Sequence, residues 1–213
     1  NIISLEDINR EYIDIYIETY QYLLLTKDFP EEKSNLMRIT TDPNYTIQDA
    51  VDYAYENFNK FNSNYPNWTP LGGDCANFVS QCLYAGGKSM KGKTGSSSAA
   101  DWSNWFSYGT ELDINKVSST WKGASAFKSY WQTNSLSYKK FSSCTQEALS
   151  YGYRGDAVSF LNTNGAAYHT LIIVAYGNKD LLLAQHTGPN DRRSLKNSTP
   201  AGGFIIFNMK FSN

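Results

Sequence analysis

The chain has 213 residues and nearly balanced charge, with 19 Lys and Arg against 20 Asp and Glu and a net charge of −1. This balance argues against a general nucleic-acid-binding protein, because such proteins usually carry an excess of basic residues. Charged residues make up only 18% of the chain and aromatic residues 15%. This composition excludes a disordered chain and predicts one folded domain of ordinary size.

The first 43 residues are expected to form a helical extension ahead of a main domain at 44–213. Apolar residues recur at helical spacing over 4–25, and the connecting segment that follows contains Pro30 and Pro43. The chain starts at Asn1, so we expect that an upstream segment such as a signal peptide is removed. No run of 18 apolar residues occurs, and we predict no membrane span.

In the main domain, four segments between residues 44 and 152 have apolar residues at helical spacing. The second of them follows a segment rich in turn residues, 62–73, and ends before Gly86 and Gly87, a common C-terminal signal. Residues 88–101 are rich in Gly, Ser and Lys, and we expect them to form an exposed loop. The predicted helices span 47–61, 75–85, 124–132 and 145–151.

The last third of the chain changes to strand patterns separated by Gly, Asn and Asp turns. Aliphatic, β-branched and aromatic residues dominate these segments, which is typical of strands. Because helices come first and strands afterwards, we predict an α+β fold with an antiparallel sheet. The predicted strands span 157–161, 168–176, 181–187 and 204–209.

Cys75 is predicted at the start of a helix, in the stretch Gly72-Gly-Asp-Cys75-Ala-Asn-Phe-Val-Ser-Gln-Cys82. The Gly pair allows a sharp turn, and Asp74 suits the N-cap. Free backbone N–H groups and the helix dipole stabilise a thiolate there, so we expect a lowered pKa and a nucleophilic Cys75. The same N–H groups could stabilise an oxyanion. The alternative is a small buried side chain after a tight turn.

The other two cysteines are expected to be structural. Cys82 lies two turns after Cys75 on the same helix, about 10 Å further along from the rise per residue. That separation is too long for a disulfide bond between them. We predict that Cys82 belongs to the core and that Cys144 is structural or incidental.

The chain has only two histidines, and both fall in a predicted β-hairpin. With a two-residue loop at 178–179, Leu171 would face His186, and His169 would lie diagonal to it on the same face. A Cys nucleophile needs a base, and the base needs a third polar group to fix its tautomer. We therefore predict His169 as base and His186 as its partner. A loop of odd length would put Gln185 there instead, and the alternative for each histidine is an isolated strand residue.

Several of these stretches resemble a known group of enzymes. A helix opened by Asp74-Cys75, then Gly155-Asp-Ala-Val-Ser-Phe160, then a strand beginning at His169 resembles the papain-like bacterial cell-wall peptidases, including CHAP and NlpC-type domains. The Cys75 string, preceded by Ala50-Val-Asp-Tyr-Ala54 and followed later by Gln185-His-Thr187, is more similar to the putative amidase domain family of Gram-positive bacteria.

The resemblance covers roughly residues 44–209. It implies a papain-like fold, with the cysteine helix packed on an antiparallel sheet, and cleavage of amide bonds in peptidoglycan. It also implies Cys75 as nucleophile and His169 as base. The third member varies in this group among His, Asn, Gln and Glu, so His186 and Gln185 both stay candidates.

Further residues are candidates for oxyanion or substrate contact. By the same resemblance, an upstream Tyr or Gln often joins the Cys backbone N–H in the oxyanion hole, which makes Tyr65 a candidate donor. The tryptophans Trp102 and Trp105 could line a groove for sugar or peptide, with core packing as the alternative. Arg192 follows His186 in a predicted loop and could meet a substrate carboxylate, with a solvated surface side chain as the alternative.

No Cys/His spacing supports a zinc site, and we predict no metal and no cofactor. We expect a monomer that is secreted or associated with the cell wall and acts on peptidoglycan or another peptide. Two other functions fit the same features. One is a wall-binding or adhesin module without chemistry, and the other is an acyltransferase that uses the Cys–His site to pass an acyl group to an amine.

Overall fold

A computed structural model describes residues 41–211, apart from residues 187 and 189. The described residues belong to one unit of the chain, Ile39–Asn213. The helix predicted at 4–25 lies outside the described residues. The boundary between a helical extension and a main domain at residue 43 stays a prediction.

The four helices predicted between residues 44 and 152 are all present, and the one that begins at Cys75 has the predicted bounds. The first helix ends four residues earlier than predicted, because the chain turns after Asn57. No helix in the described part of the chain is long and apolar enough to cross a membrane. In chain order the helices are α1 (Ile47–Asn57), α2 (Cys75–Ala85), α3 (Ser96–Ala100), α4 (Ser119–Lys122), α5 (Ala124–Asn134) and α6 (Gln146–Tyr151).

The strands form a six-stranded sheet in which every neighbouring pair is antiparallel. Their order across the sheet is β1-β6-β2-β3-β4-β5, and α2 packs against the central strand β3. The α+β prediction, with a cysteine-bearing helix on an antiparallel sheet, is therefore confirmed. The strands are β1 (Ser137–Phe141), β2 (Ala157–Leu161), β3 (Ala167–Gly177), β4 (Asp180–Gln185), β5 (Asn190–Ser194) and β6 (Phe204–Asn208).

The sheet buries apolar side chains on both of its faces. Because side chains alternate along a strand, Ile172 packs with the helical side of the core around Phe78, whereas Leu171 and Ile173 pack on the opposite face with Tyr151 of α6. This double burial explains why the central strands are apolar runs without a polar side. It also fixes the position of β3 firmly beside the start of α2.

The two edge strands, β1 and β5, are not predicted by the sequence pattern. Their sequences, SYKKF and NDRRS, are mostly polar and largely accessible to solvent. They are strands because their backbones complete the hydrogen bonding of β6 and β4. Polar, charged edges of this kind also discourage pairing with another chain.

Candidate active site

Cys75 is the first residue of α2, and Asp74 directly precedes the helix. Gly72 and Gly73 have φ values of 115° and 131°, the region that favours glycine and lets the chain turn into the helix. The Cys75 side chain is buried, with 9% of its surface exposed. The predicted placement of the thiol at the N-terminal end of a helix is thus confirmed.

The expected lowering of the Cys75 pKa is not observed. Burial raises the pKa of the thiol, and the charge of Asp74 raises it further. Backbone N–H groups of Thr170 and Ala76 hydrogen-bond to the sulfur and act in the opposite direction, but the loss of solvent outweighs them. The thiol is therefore protonated near neutral pH in this structure, and its attack on a substrate needs a base.

Thr170 immediately follows His169, so the thiol meets β3 one residue away from the predicted base. His169 is buried, and its Nε2 lies 3.0 Å from Oε1 of Gln185 on β4. Burial lowers the pKa of His169, the bond to Gln185 raises it, and the charge of Arg193 lowers it. The His169 ring is therefore neutral near neutral pH, and its bond to Gln185 fixes its orientation.

The second ring nitrogen of His169, Nδ1, has no hydrogen-bond partner among the residues that the structure describes. The Cys75 thiol and the His169 ring are not hydrogen-bonded to each other in this structure. Catalytic hydrogen bonds often tighten only when substrate binds. Nδ1 is therefore the ring nitrogen that remains able to accept a proton.

The predicted pairing of the two histidines across the hairpin is wrong, because β3 contains a bulge. Next to the turn the strands pair as expected for a two-residue loop, with Gly177 facing Asp180. Val174 is an extra residue on β3, so the pairing on the far side of it from the turn is shifted by one residue. Such a shift changes which side chains of β4 lie on the same face as a given side chain of β3. As a result Gln185, and not His186, is the partner that hydrogen-bonds to His169.

His186 contacts the residue before Cys75 instead. Its Nδ1 lies 2.6 Å from Oδ2 of Asp74, and its Nε2 lies 2.9 Å from the carbonyl oxygen of Lys60. The ring packs between Phe61 and Phe78, with ring centroids 4.6 Å and 4.9 Å away. His186 therefore joins the end of β4 to the start of α2 and to the loop after α1.

Both partners of the His186 ring are hydrogen-bond acceptors, one from a carboxylate and one from a carbonyl. The other Asp74 oxygen, Oδ1, accepts from the backbone N–H of Trp68 at 2.8 Å and from Asn77 Nδ2 at 2.9 Å. Both ring nitrogens of His186 are thus engaged in hydrogen bonds. Neither nitrogen can accept the Cys75 proton without breaking one of them.

The loop before α2 is tied to the first turn of that helix, and Tyr65 lies in it. Asn77 Nδ2 donates to the carbonyl oxygen of Pro66 at 2.9 Å, and the Tyr65 ring stacks on Trp121 with centroids 5.9 Å apart. Burial raises the pKa of Tyr65 to about 12, so its hydroxyl stays protonated and able to donate. Its role as an oxyanion donor stays a prediction.

The three predicted substrate contacts have different surroundings. Trp105 is fully buried and donates from Nε1 to Ser80 Oγ at 3.1 Å. The prediction is wrong for this residue, because its indole finds both apolar neighbours and a polar partner in the core. Trp102 is 51% exposed, and the exposed Arg192 lies over the ring of Tyr55 at 5.7 Å. Substrate contact by Trp102 and Arg192 stays a prediction.

Sequence reasoning misses both Asn77 and Arg193. Asn77 bridges Asp74 and Pro66, a role that depends on how the preceding loop folds back. Arg193, the neighbour of Arg192, lies on β5 and donates from Nη1 to Gln185 Oε1 at 2.8 Å. No periodic signal identifies β5, so the contact could not be read from the sequence.

Comparison with known proteins places the chain in a family. Residues 44–207 match the model of a family described as "Putative amidase domain". The chain is also 32% identical over 139 residues to YhbB, an uncharacterized protein of Bacillus subtilis, and the match covers 64% of this chain. It spans 40% of the length of that relative. No solved structure matches the chain.

The matched region contains every element that forms the site, from α1 to the last strand. It includes Cys75 at the start of α2, His169 on β3 and Gln185 on β4. Because the family model covers well over half of the sequence, the chain belongs to the putative amidase domain family.

Proposed function

We propose that this protein is a cysteine-dependent hydrolase of amide bonds, with Cys75 as nucleophile, His169 as base and Gln185 as the residue that orients the base. The observation that carries the proposal is the thiol at the start of α2, which accepts the N–H of Thr170 directly beside a histidine fixed by Gln185. Membership of the family supports amide hydrolysis in general terms.

In the first step the sulfur of Cys75 attacks the amide carbonyl carbon and a C–S bond forms. The thiol proton passes to Nδ1 of His169, which then gives it to the nitrogen of the leaving amine as the C–N bond breaks. A thioester on Cys75 and a free amine result. The raised thiol pKa and the lowered histidine pKa both favour this neutral starting state.

In the second step His169 takes a proton from a water molecule as the water oxygen attacks the thioester carbonyl. The C–S bond breaks, and the proton returns to the sulfur, which restores the thiol and releases a carboxylic acid. Negative charge on the carbonyl oxygen in both steps would be stabilised by the N–H of Cys75 at the helix start, with the Tyr65 hydroxyl as a second donor.

We take the substrate to be a peptide of peptidoglycan, on the strength of the resemblance of the Cys75 and His169 stretches to bacterial cell-wall peptidases. A papain-like kinship with CHAP and NlpC-type domains belongs to the same proposal. An enzyme with this substrate acts outside the cytoplasmic membrane, so we place the protein in the secreted or wall-associated fraction. The exposed Trp102 and Arg192 are the candidate contacts for such a ligand.

Mass spectrometry of purified peptidoglycan digested with the wild-type protein and with Cys75→Ala tests the proposal. New amine and carboxylate ends should form with the wild type and vanish with Cys75→Ala. Cys144→Ala is the matched control, because Cys144 is a half-buried free thiol on the opposite core face. Full activity in Cys75→Ala would overturn the mechanism. Addition of an amine acceptor distinguishes hydrolysis from acyl transfer, since a transferase would form a new amide.

A further inference from the structure

The orientation of the Gln185 side chain can be assigned from its neighbours. Its Oε1 lies 2.8 Å from Nη1 of Arg193 and 3.0 Å from Nε2 of His169, and its Nε2 donates to the carbonyl of Gly188. A guanidinium group only donates hydrogen bonds, so the Gln185 atom that faces Arg193 is the oxygen. The same oxygen faces His169, and Nε2 of His169 must therefore carry the hydrogen.

Arg193 is itself held in place on β5. Its Nε donates to Ser198 Oγ at 3.0 Å, and its guanidinium carbon lies 5.1 Å from the centre of the Phe160 ring. Ser198 is in turn anchored, because its hydroxyl donates to the carbonyl of Ser194 at 2.7 Å. No carboxylate lies within ion-pair distance of Arg193 in the described part of the chain. The group is a fixed donor whose charge no neighbouring acid neutralises.

We propose that Arg193 is a positioning residue for His169 and acts through Gln185. Its donated hydrogen bond keeps the amide oxygen of Gln185 toward the ring, which fixes the Nε2–H tautomer of His169 and leaves the Nδ1 lone pair as the proton acceptor. The role of Arg193 in catalysis rests on the function proposed above. The orientation of Gln185 and the tautomer of His169 follow from the hydrogen-bond contacts alone.

The arrangement has a physical reason. A glutamine amide can rotate to offer either its oxygen or its NH₂ group, and the NH₂ group facing His169 would demand the opposite tautomer. Two donors on the same oxygen remove that ambiguity. The positive charge of Arg193 also helps burial to lower the pKa of His169, which keeps the ring neutral. Arginine suits this role, because its planar group presents donors in a rigid geometry.

Arg192 provides a matched control for this proposal. It is the adjacent arginine on the same strand, it is exposed, and its guanidinium lies over Tyr55 on α1 and not over Gln185. Substitution by methionine at either position removes one positive charge and keeps most of the aliphatic side chain. Any effect of net charge alone should be equal in the two variants.

The decisive measurement is the ring ¹⁵N NMR spectrum of the two histidines near pH 8, where a neutral histidine shows its tautomer. His169→Ala assigns the signals. In the wild type, His169 should be predominantly the Nε2–H tautomer. Arg193→Met should give a mixture of tautomers with the rest of the spectrum preserved. Arg193→Lys should restore the wild-type form in part, and Arg192→Met should leave the tautomer of His169 unchanged. An unchanged tautomer in Arg193→Met would overturn the inference.

Hydrolysis rates provide the second test. Arg193→Met should lower kcat about 10-fold, since misplacement of a catalytic group by about 1 Å can cost 100-fold, and KM should stay within about 2-fold. A rise in KM alone would contradict positioning and assign Arg193 to substrate binding. Absence of hydrolysis in the wild type would refute the proposed function, while the tautomer in Arg193→Met would still decide whether Arg193 orients the ring.

Discussion

The two histidines of this protein lie near the same helix start, but the hydrogen bonds of their rings differ. His169 has one ring nitrogen bonded to Gln185, and its Nδ1 has no partner among the described residues. His186 has both ring nitrogens bonded, to Asp74 and to the carbonyl of Lys60. Only the first ring can accept a proton without breaking an existing hydrogen bond.

The partners of the two rings also differ in chemical type. His186 is bonded to two acceptors, the carboxyl group of Asp74 and the carbonyl of Lys60. His169 faces an amide oxygen that also receives the cation of Arg193, and burial lowers its pKa. The difference teaches that proximity to a candidate nucleophile does not make a histidine a base. The hydrogen-bond partners of its two nitrogens decide the role.

The largest expected effect comes from removal of the His169 ring. His169→Ala should lower the rate of hydrolysis by about 1000-fold, within the range for loss of a general base, because the proposed mechanism passes the thiol proton to Nδ1 of this ring. Stability should fall by only about 1 kcal/mol, the value of one hydrogen bond. Peptide-release assays and denaturant unfolding measure the two quantities. An active His169→Ala protein would show that the base is elsewhere.

His186→Phe should have the opposite profile. The phenyl ring can still pack between Phe61 and Phe78, but Oδ2 of the buried Asp74 loses the imidazole to which it is bonded. Loss of one member of a buried ion pair costs about 3–5 kcal/mol, which denaturant unfolding would detect. Below its unfolding temperature the variant should hydrolyse substrate within about 10-fold of the wild-type rate, since no step uses this ring as a base.

Lys60→Ala is the control for the His186 variant, because His186 bonds to the backbone of Lys60 and not to its side chain. Its stability should stay within about 0.5 kcal/mol of the wild type. A double variant, His186→Phe with Asp74→Asn, should regain part of the lost stability, since no uncompensated charge is then buried. If His186→Phe were as stable as the wild type, the assignment of a stabilising His186–Asp74 pair would be wrong.

Gln185 tests whether orientation of the base matters. Gln185→Leu removes the acceptor that both His169 and Arg193 use, and we expect kcat to fall about 10- to 100-fold through misplacement of the ring. Gln185→Glu keeps an acceptor at the same position and should retain more activity than Gln185→Leu. Steady-state kinetics compare the two. Equal activity in both variants would mean that His169 needs no partner.

The sequence was sufficient to predict the elements that carry Cys75 and His169. The pattern at 75–85 predicts the observed helix, and β2 has its predicted bounds, because both segments combine strong local propensity with clear turn signals. The predicted hairpin register is wrong from Val174 onward, since valine is typical of a regular strand and nothing in the sequence marks it as an extra residue. Only the packing of the sheet shows that this residue is extra.

The polar network around His169 could not be predicted for a related reason. Arg193 lies on β5, whose NDRRS sequence has no apolar alternation and becomes a strand only through its pairing with β4. The pairing of Asp74 with His186 joins residues that are 112 positions apart in the chain. Local patterns contain no information on such contacts. The family resemblance indicated the order of the candidate residues Cys75 and His169, and the structure shows their hydrogen-bond partners.

The smallest expected effect is on the reactivity of Cys75 in the resting protein, and it sharpens the contrast between the two histidines. Burial raises the pKa of Cys75 above its usual value of 9.0 and lowers that of His169 below 6.5. Both groups are therefore neutral between these values. Alkylation of Cys75 by iodoacetamide should be slow at neutral pH and should increase with pH, with a midpoint above 9.0.

Alkylation of the His169→Ala protein distinguishes a neutral Cys75 and His169 from a preformed thiolate–imidazolium pair. If the resting site held a thiolate beside an imidazolium, alkylation would already be fast below neutral pH and would drop sharply in His169→Ala. With both groups neutral, the alkylation rates of the two proteins should agree within about 3-fold, whereas their hydrolysis rates differ by about 1000-fold. His169 would then be needed only when substrate is attacked, because proton transfer from the thiol accompanies formation of the C–S bond.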